Sequence, residues 1–203
     1  MNYYSQGNID EFIRTNFFPD FDYKGIMVEV GAGPTLYASM SKHFRENGWR
    51  CICVEPNPKF CEQHKNEGNE IYEYACSYED GVSDFVRVST PTWHKKENDE
   101  CSISSISPVL NYDTKHAKTI QVKTIKLDTL LENLGIDKVD YVSIDVEGWE
   151  LNVLKGFDVK KYSPKIIVVE DLGENVELEK YIESMGYQFF KKIEYNKIYQ
   201  III

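Results

Sequence analysis

Apolar positions along the first half of the chain fall into short, sharply bounded blocks. Ile26-Met27-Val28-Glu29-Val30, Cys51-Ile52-Cys53-Val54 and Ile71 to Ala75 are compact runs of strand length with little alternation. That pattern predicts strands covered on both faces. Between them the period changes. Leu36, Met40 and Phe44 share one face of a helix expected from Thr35 to Glu46, with Asn47-Gly48 as its stop. A second helix is expected over Lys59 to Asn66, ending at Gly68. Strand, helix, strand, helix, strand is the βαβαβ half of a parallel α/β sheet. A leading helix over residues 5–17 precedes it, with Ile9, Phe12, Ile13 and Phe17 at helical spacing.

The second half is less regular. Val82 to Val88 alternates in exposure, and Ile120 to Leu127 resumes that alternation. The intervening residues 89–119 are polar, aperiodic and broken by Pro91 and Pro108, which predicts an inserted substrate lid. A short helix over Asp128 to Leu134 leads to a fourth core strand, Tyr141 to Ile144, and a fifth follows at Lys165 to Val169. Helices are expected at Glu150 to Leu154 and Val176 to Met185, then a terminal hairpin of Tyr187–Ile193 and Lys197–Ile203. The expected organisation is one domain over residues 1–203, with residues 1–20 as a helical leader.

Composition bounds the function classes. With 203 residues, 42% hydrophobic and 28% charged, the chain is long enough for one unstapled core. Its net charge of −10 repels phosphate backbones and anionic lipid, so neither nucleic acid nor a membrane is the expected partner. The longest aliphatic runs, Ile166–Val169 and Ile201–Ile203, are far below membrane-helix length, and no signal-peptide pattern opens the chain. Five cysteines without a CxxC pair, and four scattered histidines, read as reduced thiols in a cytoplasmic protein without structural zinc. The apolar end Ile201–Ile203 is a candidate for extending a sheet across a homodimer.

In an open parallel sheet the ligand lies beyond the carboxyl ends of the strands. After the first strand comes Glu29-Val30-Gly31-Ala32-Gly33-Pro34, a turn whose glycines let backbone approach a ligand. After the second comes Glu55, 24 residues beyond Gly31, placed to accept both hydroxyls of a ribose. Together they mark a nucleoside-cofactor site. A dinucleotide fingerprint needs a third glycine where this chain has Leu36, so an NAD-dependent oxidoreductase is the weaker alternative. S-adenosylmethionine carries no phosphate and suits the turn better, with Glu29 near its amino group.

The most specific segment is Ser143-Ile144-Asp145-Val146-Glu147-Gly148-Trp149-Glu150 through Leu154-Lys155-Gly156. With Val28–Gly33, Val54-Glu55-Pro56-Asn57-Pro58, Ala75-x-Ser77, Asp80-Gly81, Ser104-Ser105-Ile106 and Val122 to Asp128, it closely resembles the FkbM-like family of S-adenosylmethionine-dependent methyltransferases. The likeness runs in order from Ile26 to the C-terminus. One departure stands out: the family's Gly-Ala-Asn-x-Gly turn is Gly31-Ala32-Gly33-Pro34-Thr35 here. The resemblance implies a Rossmann-like class I methyltransferase fold, a seven-stranded mixed sheet of order 3-2-1-4-5-7-6 with helices on both faces. It also implies O-methylation of a sugar or other small metabolite, with a catalytically inactive binding module of the same fold as the competing class. The cofactor set it implies is Glu29, Gly31, Ala32, Gly33, Pro34, Glu55, Pro56, Cys76 and Asp145.

Three acids end adjacent strands: Asp145 after the fourth, Glu170 and Asp171 after the fifth. Such a trio repels itself unless protonated or bridged by a cation, and hard oxygen ligands suit Mg²⁺. The alternative makes Asp145 a helix cap and the pair Glu170-Asp171 solvated loop acids. Asp145, Glu147 and His94 are the catalytic candidates, His94 as a lid base titrating near neutrality. No nucleophile elbow and no Cys–His neighbour occurs in the chain, and methyl transfer from a sulfonium needs neither.

Overall fold

The computed structural model describes residues 1–35, 38–88, 105–106 and 117–202. Ten strands form two sheets. The main sheet is built from β1 (Ile26–Val30), β2 (Arg50–Val54), β3 (Ile71–Tyr72), β7 (Tyr141–Ile144), β8 (Ile166–Glu170), β9 (Tyr187–Ile193) and β10 (Asn196–Ile201). Its order is β3-β2-β1-β7-β8-β10-β9. The pairs along β3, β2, β1, β7 and β8 are parallel, whereas β10 runs antiparallel to both its neighbours. This is the expected 3-2-1-4-5-7-6 order, with the last strand reversed.

Strand parity splits the core into two layers. Val28, Ile52, Val142 and Ile167 face one way, onto helices α4 (Leu127–Asn133), α5 (Glu150–Lys155), α6 (Val159–Tyr162) and α7 (Val176–Ser184). Met27, Cys51, Tyr141 and Ile166 face the other way, onto α1 (Ile9–Phe17) and α2 (Lys42–Glu46). Each is fully or almost fully buried. A strand packed on both faces has no polar face to show, so β1, β2, β7 and β8 read as apolar blocks in the sequence. α3 (Pro58–Asn66) starts with the Asn57 side chain accepting from the Lys59 N–H.

Three expectations need correction. The expected third strand divides at Glu73-Tyr74. Ile71–Tyr72 stays on β2, while β4 (Ala75–Cys76) joins β5 (Gly81–Arg87) and β6 (Lys118–Ile125) in a second sheet of order β4-β6-β5. The helix expected from Thr35 is helical only over Lys42–Glu46. Ala38 is left-handed, and the Met40 N–H goes to the Glu29 carboxylate at 2.7 Å instead of to a helical carbonyl. The Ser39 hydroxyl takes the Lys42 N–H. Finally, β10 lies between β8 and β9, so the chain's last strand has no free edge with which to extend the sheet.

Most of the expected lid, including Trp93 and His94, lies outside the described residues. Two described parts of it are placed differently from expectation: Lys118-Thr119 already belong to β6, and Ser105, midway along it, bridges to Val86 of β5. Among the described residues no helix is long and apolar enough to cross a membrane.

Candidate functional site

The carboxyl ends of β1, β2 and β7 converge. The N–H groups of Gly31 and Ala32 both donate to the Val54 carbonyl, at 2.9 and 3.2 Å, which folds the turn after β1 across the end of β2. Asp145 N–H donates to the Val30 carbonyl at 3.0 Å, holding the turn after β7 on the other side. Gly31 sits at the crossing with φ +80°, and a Cβ there would lie 1.7 Å from the Asp145 carbonyl oxygen. Only glycine allows that approach. Gly156 plays the same part beneath the site, where a Cβ would lie 2.1 Å from the Ser77 carbonyl oxygen. Ser77 in turn accepts from the Trp149 indole N–H at 3.2 Å. Several positions of the sequence resemblance are therefore packing and hinge points that hold the pocket together.

Between these turns lies a cavity enclosed by the ends of β1, β2 and β7. Gly31, Gly33, Glu55, Pro56, Cys76 and Asp145 line it. Glu55 is buried; its Oε2 accepts the Gly33 N–H at 2.9 Å and its Oε1 the Asn57 N–H at 2.8 Å. Burial pushes its carboxyl up to about 7. Sequence reasoning missed Phe85, Ile106, Val146 and Trp149 on the same walls. Val146, Trp149 and Ile106 were within reach, since they stand inside segments of the sequence resemblance; Phe85 enters from β5 of the second sheet and carries no local signal.

Three assignments change. Glu29 does not line the cavity: parity points it with Met27 to the opposite face, where it binds Met40 N–H and receives the Cys53 thiol at 3.8 Å. It anchors the loop after the cofactor turn. Ala32 and Pro34 belong to that turn without lining the cavity. Asp171 leaves the acidic group. β8 starts and ends one residue later than expected, so Glu170 pairs with Asn196 and Asp171 turns away. There it accepts from the N–H groups of Gly173 and Asn175 and from the Lys197 ammonium at 2.8 Å. Burial would raise its pKa, but Lys197 and those donors outweigh burial and hold it low. Glu179 completes the ion pair with Lys197.

The acids that do meet are Asp145, Glu147 and Glu170, one carboxylate oxygen of each lying within 4.8 Å of the other two. Glu147 is held there by a left-handed backbone, φ +56°, and Ser105 Oγ donates to its carbonyl at 3.1 Å. Burial raises all three carboxyls, and their mutual repulsion adds to it for Glu147, which is pushed up to about 8, and for Glu170. Asp145 and Glu170 titrate as a coupled pair, and burial favours keeping a proton between them. Glu150 accepts from Val146 and Gly148 N–H at 3.2 and 3.0 Å, yet burial still lifts it to about 7.

These shifts make a prediction. Unfolded carboxyls titrate near ~4. Above about pH 6.5 Glu55, Glu147, Glu150 and Glu170 hold protons in the folded chain that the unfolded chain has lost. The folded state binds the extra protons, so stability is lost as pH rises. The melting temperature of the ligand-free protein falls steadily from about pH 6.5 to about pH 8.5. A melting temperature that climbs over that window contradicts the acid cluster.

A parallel sheet with one reversed strand, a glycine turn after β1 and an acid after β2 is a methyltransferase arrangement, and residues 29–189 match the methyltransferase FkbM domain. The chain belongs to the FkbM methyltransferase family. Two solved structures share the fold. The methyltransferase FkbM from Methylobacillus flagellatus KT superposes with a TM-score of 0.55 at 16% identity, over 92% of this chain and 47% of that one. The METTL16 MTase domain superposes with a TM-score of 0.52 at 11% identity, over 97% of this chain and 67% of that one. This FkbM-family chain thus spans about half the length of the Methylobacillus protein. Among curated proteins none matches it. Membership in a methyltransferase family sets the NAD-dependent reading aside.

Proposed function

We propose that this FkbM-family chain is an S-adenosylmethionine-dependent O-methyltransferase acting on a hydroxyl of a sugar or other small metabolite. The observation that carries the proposal is the cavity itself. Glu55 faces it from the end of β2, Asp145 from the end of β7, and the Gly31–Gly33 turn lies between them. The donor set suits the cofactor: Glu55 retains lone pairs for ribose hydroxyls, and Pro56, Cys76 and Phe85 supply apolar wall. When bound, the cofactor supplies a methyl group already activated on sulfur. The chain's own residues then have one chemical task, to orient the acceptor oxygen and take its proton.

Asp145 is the residue for that task. It ends β7 facing the cavity, and burial raises its pKa above that of an ordinary aspartate, which favours a general base. The proton leaves the hydroxyl as the oxygen takes the methyl group. A second reading is favoured by the 4.8 Å grouping of Asp145, Glu147 and Glu170: a divalent cation held there would lower the hydroxyl pKa and orient the oxygen.

Radiolabelled methyl transfer to a panel of sugars and polyols tests the proposal, assayed with excess EDTA and again with added Mg²⁺. Transfer that survives EDTA excludes the cation and leaves the base to be tested by Asp145→Asn. Transfer abolished by EDTA and restored by Mg²⁺ identifies the cation site. Methylation at nitrogen or carbon alone contradicts the O-methyltransferase proposal.

A further inference from the structure

The cofactor turn is gripped from behind by a residue that does not itself line the cavity. His64 is on α3 and fully buried. Its Nε2 lies 3.0 Å from the Gly33 carbonyl oxygen, and its Nδ1 lies 3.1 Å from Asn69 Nδ2. A carbonyl oxygen only accepts, so Nε2 carries the proton. The neutral ring then leaves Nδ1 as an acceptor, and the Asn69 amide donates to it. On the other side of the same residue, Gly33 N–H donates to Glu55 at 2.9 Å. Both polar groups of Gly33 are thus held by side chains, one from the end of β2 and one from the last turn of α3. A glycine has no side chain to brace its own turn, so the bracing must come from elsewhere.

We infer that His64, oriented by Asn69, is a positioning residue that fixes the Gly33 peptide in the shape that binds the cofactor. The inference rests on the proposed cofactor site. Burial supports it by lowering the His64 pKa, which keeps the ring neutral and the tautomer single. Removing the donor strands a buried carbonyl, a loss equivalent to about tenfold in an equilibrium constant.

Calorimetry with S-adenosylhomocysteine and native-state amide exchange test it on the full chain. His64→Leu fills the space without a donor. It should weaken binding about tenfold and cut Gly33 amide protection at least tenfold, with Ile52 protection unchanged. His64→Gln keeps a donor at the ε position and should restore both to within about threefold of wild type. Unchanged affinity in His64→Leu overturns the inference, and so does unchanged Gly33 protection. Failure of the wild type itself to bind falls on the cofactor proposal instead. Should His64→Leu not fold, Asn69→Ala leaves the ring in place: ¹⁵N spectra should then show mixed tautomers and binding weakened about threefold. A wild-type ring protonated on Nδ1, or an Asn69→Ala variant with wild-type affinity, overturns the inference.

Discussion

Asp145→Asn leaves a folded enzyme whose turnover is down at least about a hundredfold, the range lost when a general base is removed. The amide is nearly isosteric, and the backbone roles of residue 145 persist. Its N–H still meets Val30, and its carbonyl still packs on Gly31. Binding of S-adenosylhomocysteine should therefore stay within about threefold, since the lost function is proton transfer and not shape. Replacing the charge also relieves repulsion on Glu147 and Glu170, so the variant should melt no lower than wild type at alkaline pH. Turnover within tenfold of wild type at saturating acceptor would remove Asp145 from the chemistry and leave it as a link between two strand ends.

Gly31→Ala has the opposite profile and damages structure and binding together. The left-handed backbone costs a non-glycine residue about 1–2 kcal/mol, and the 1.7 Å approach to the Asp145 carbonyl cannot be met without moving backbone. Either the turn after β1 or the turn after β7 must shift, and both line the cavity. The melting temperature should fall by several degrees, given about 2–4 °C per kcal/mol for a chain of this size. Calorimetry should find S-adenosylhomocysteine affinity reduced at least about a hundredfold, the effect of a misplaced first shell. Wild-type affinity in this variant would mean that the turn is not part of the cofactor site.

The features that were legible in the sequence are those set by local pattern. β1, β2, β7 and β8 announce themselves because burial on both faces leaves no polar alternation, and Gly31, Glu55 and Asp145 stand directly at their ends. What escaped was set by distant partners. Ile71 to Cys76 looks continuous, yet β6, some fifty residues later, draws Ala75-Cys76 away into a second sheet. The helix before Lys42 is shortened by a carboxylate on β1, which competes for the Met40 N–H. Glu170 and Asp171 are neighbours with similar chemistry. A one-residue shift of the strand sends the first to Asp145 and the second to Lys197, a choice settled by a cation on the last strand. Glu29 was a matter of parity: it alternates with Val28 and Val30, which both face the cavity-side core, so its side chain had to face away.

The central claim is that the cavity between Gly31, Glu55 and Asp145 binds the nucleoside of S-adenosylmethionine. Isothermal calorimetry with S-adenosylhomocysteine, on wild type and on Glu55→Ala, tests it most directly. Wild type should bind in the micromolar range and show no heat with NADH. Glu55→Ala should bind at least about tenfold more weakly with its fold intact, because hydrogen bonds to a charged acceptor contribute about 1.5–3 kcal/mol each. No binding by wild type, or equal affinity in Glu55→Ala, would contradict the assignment.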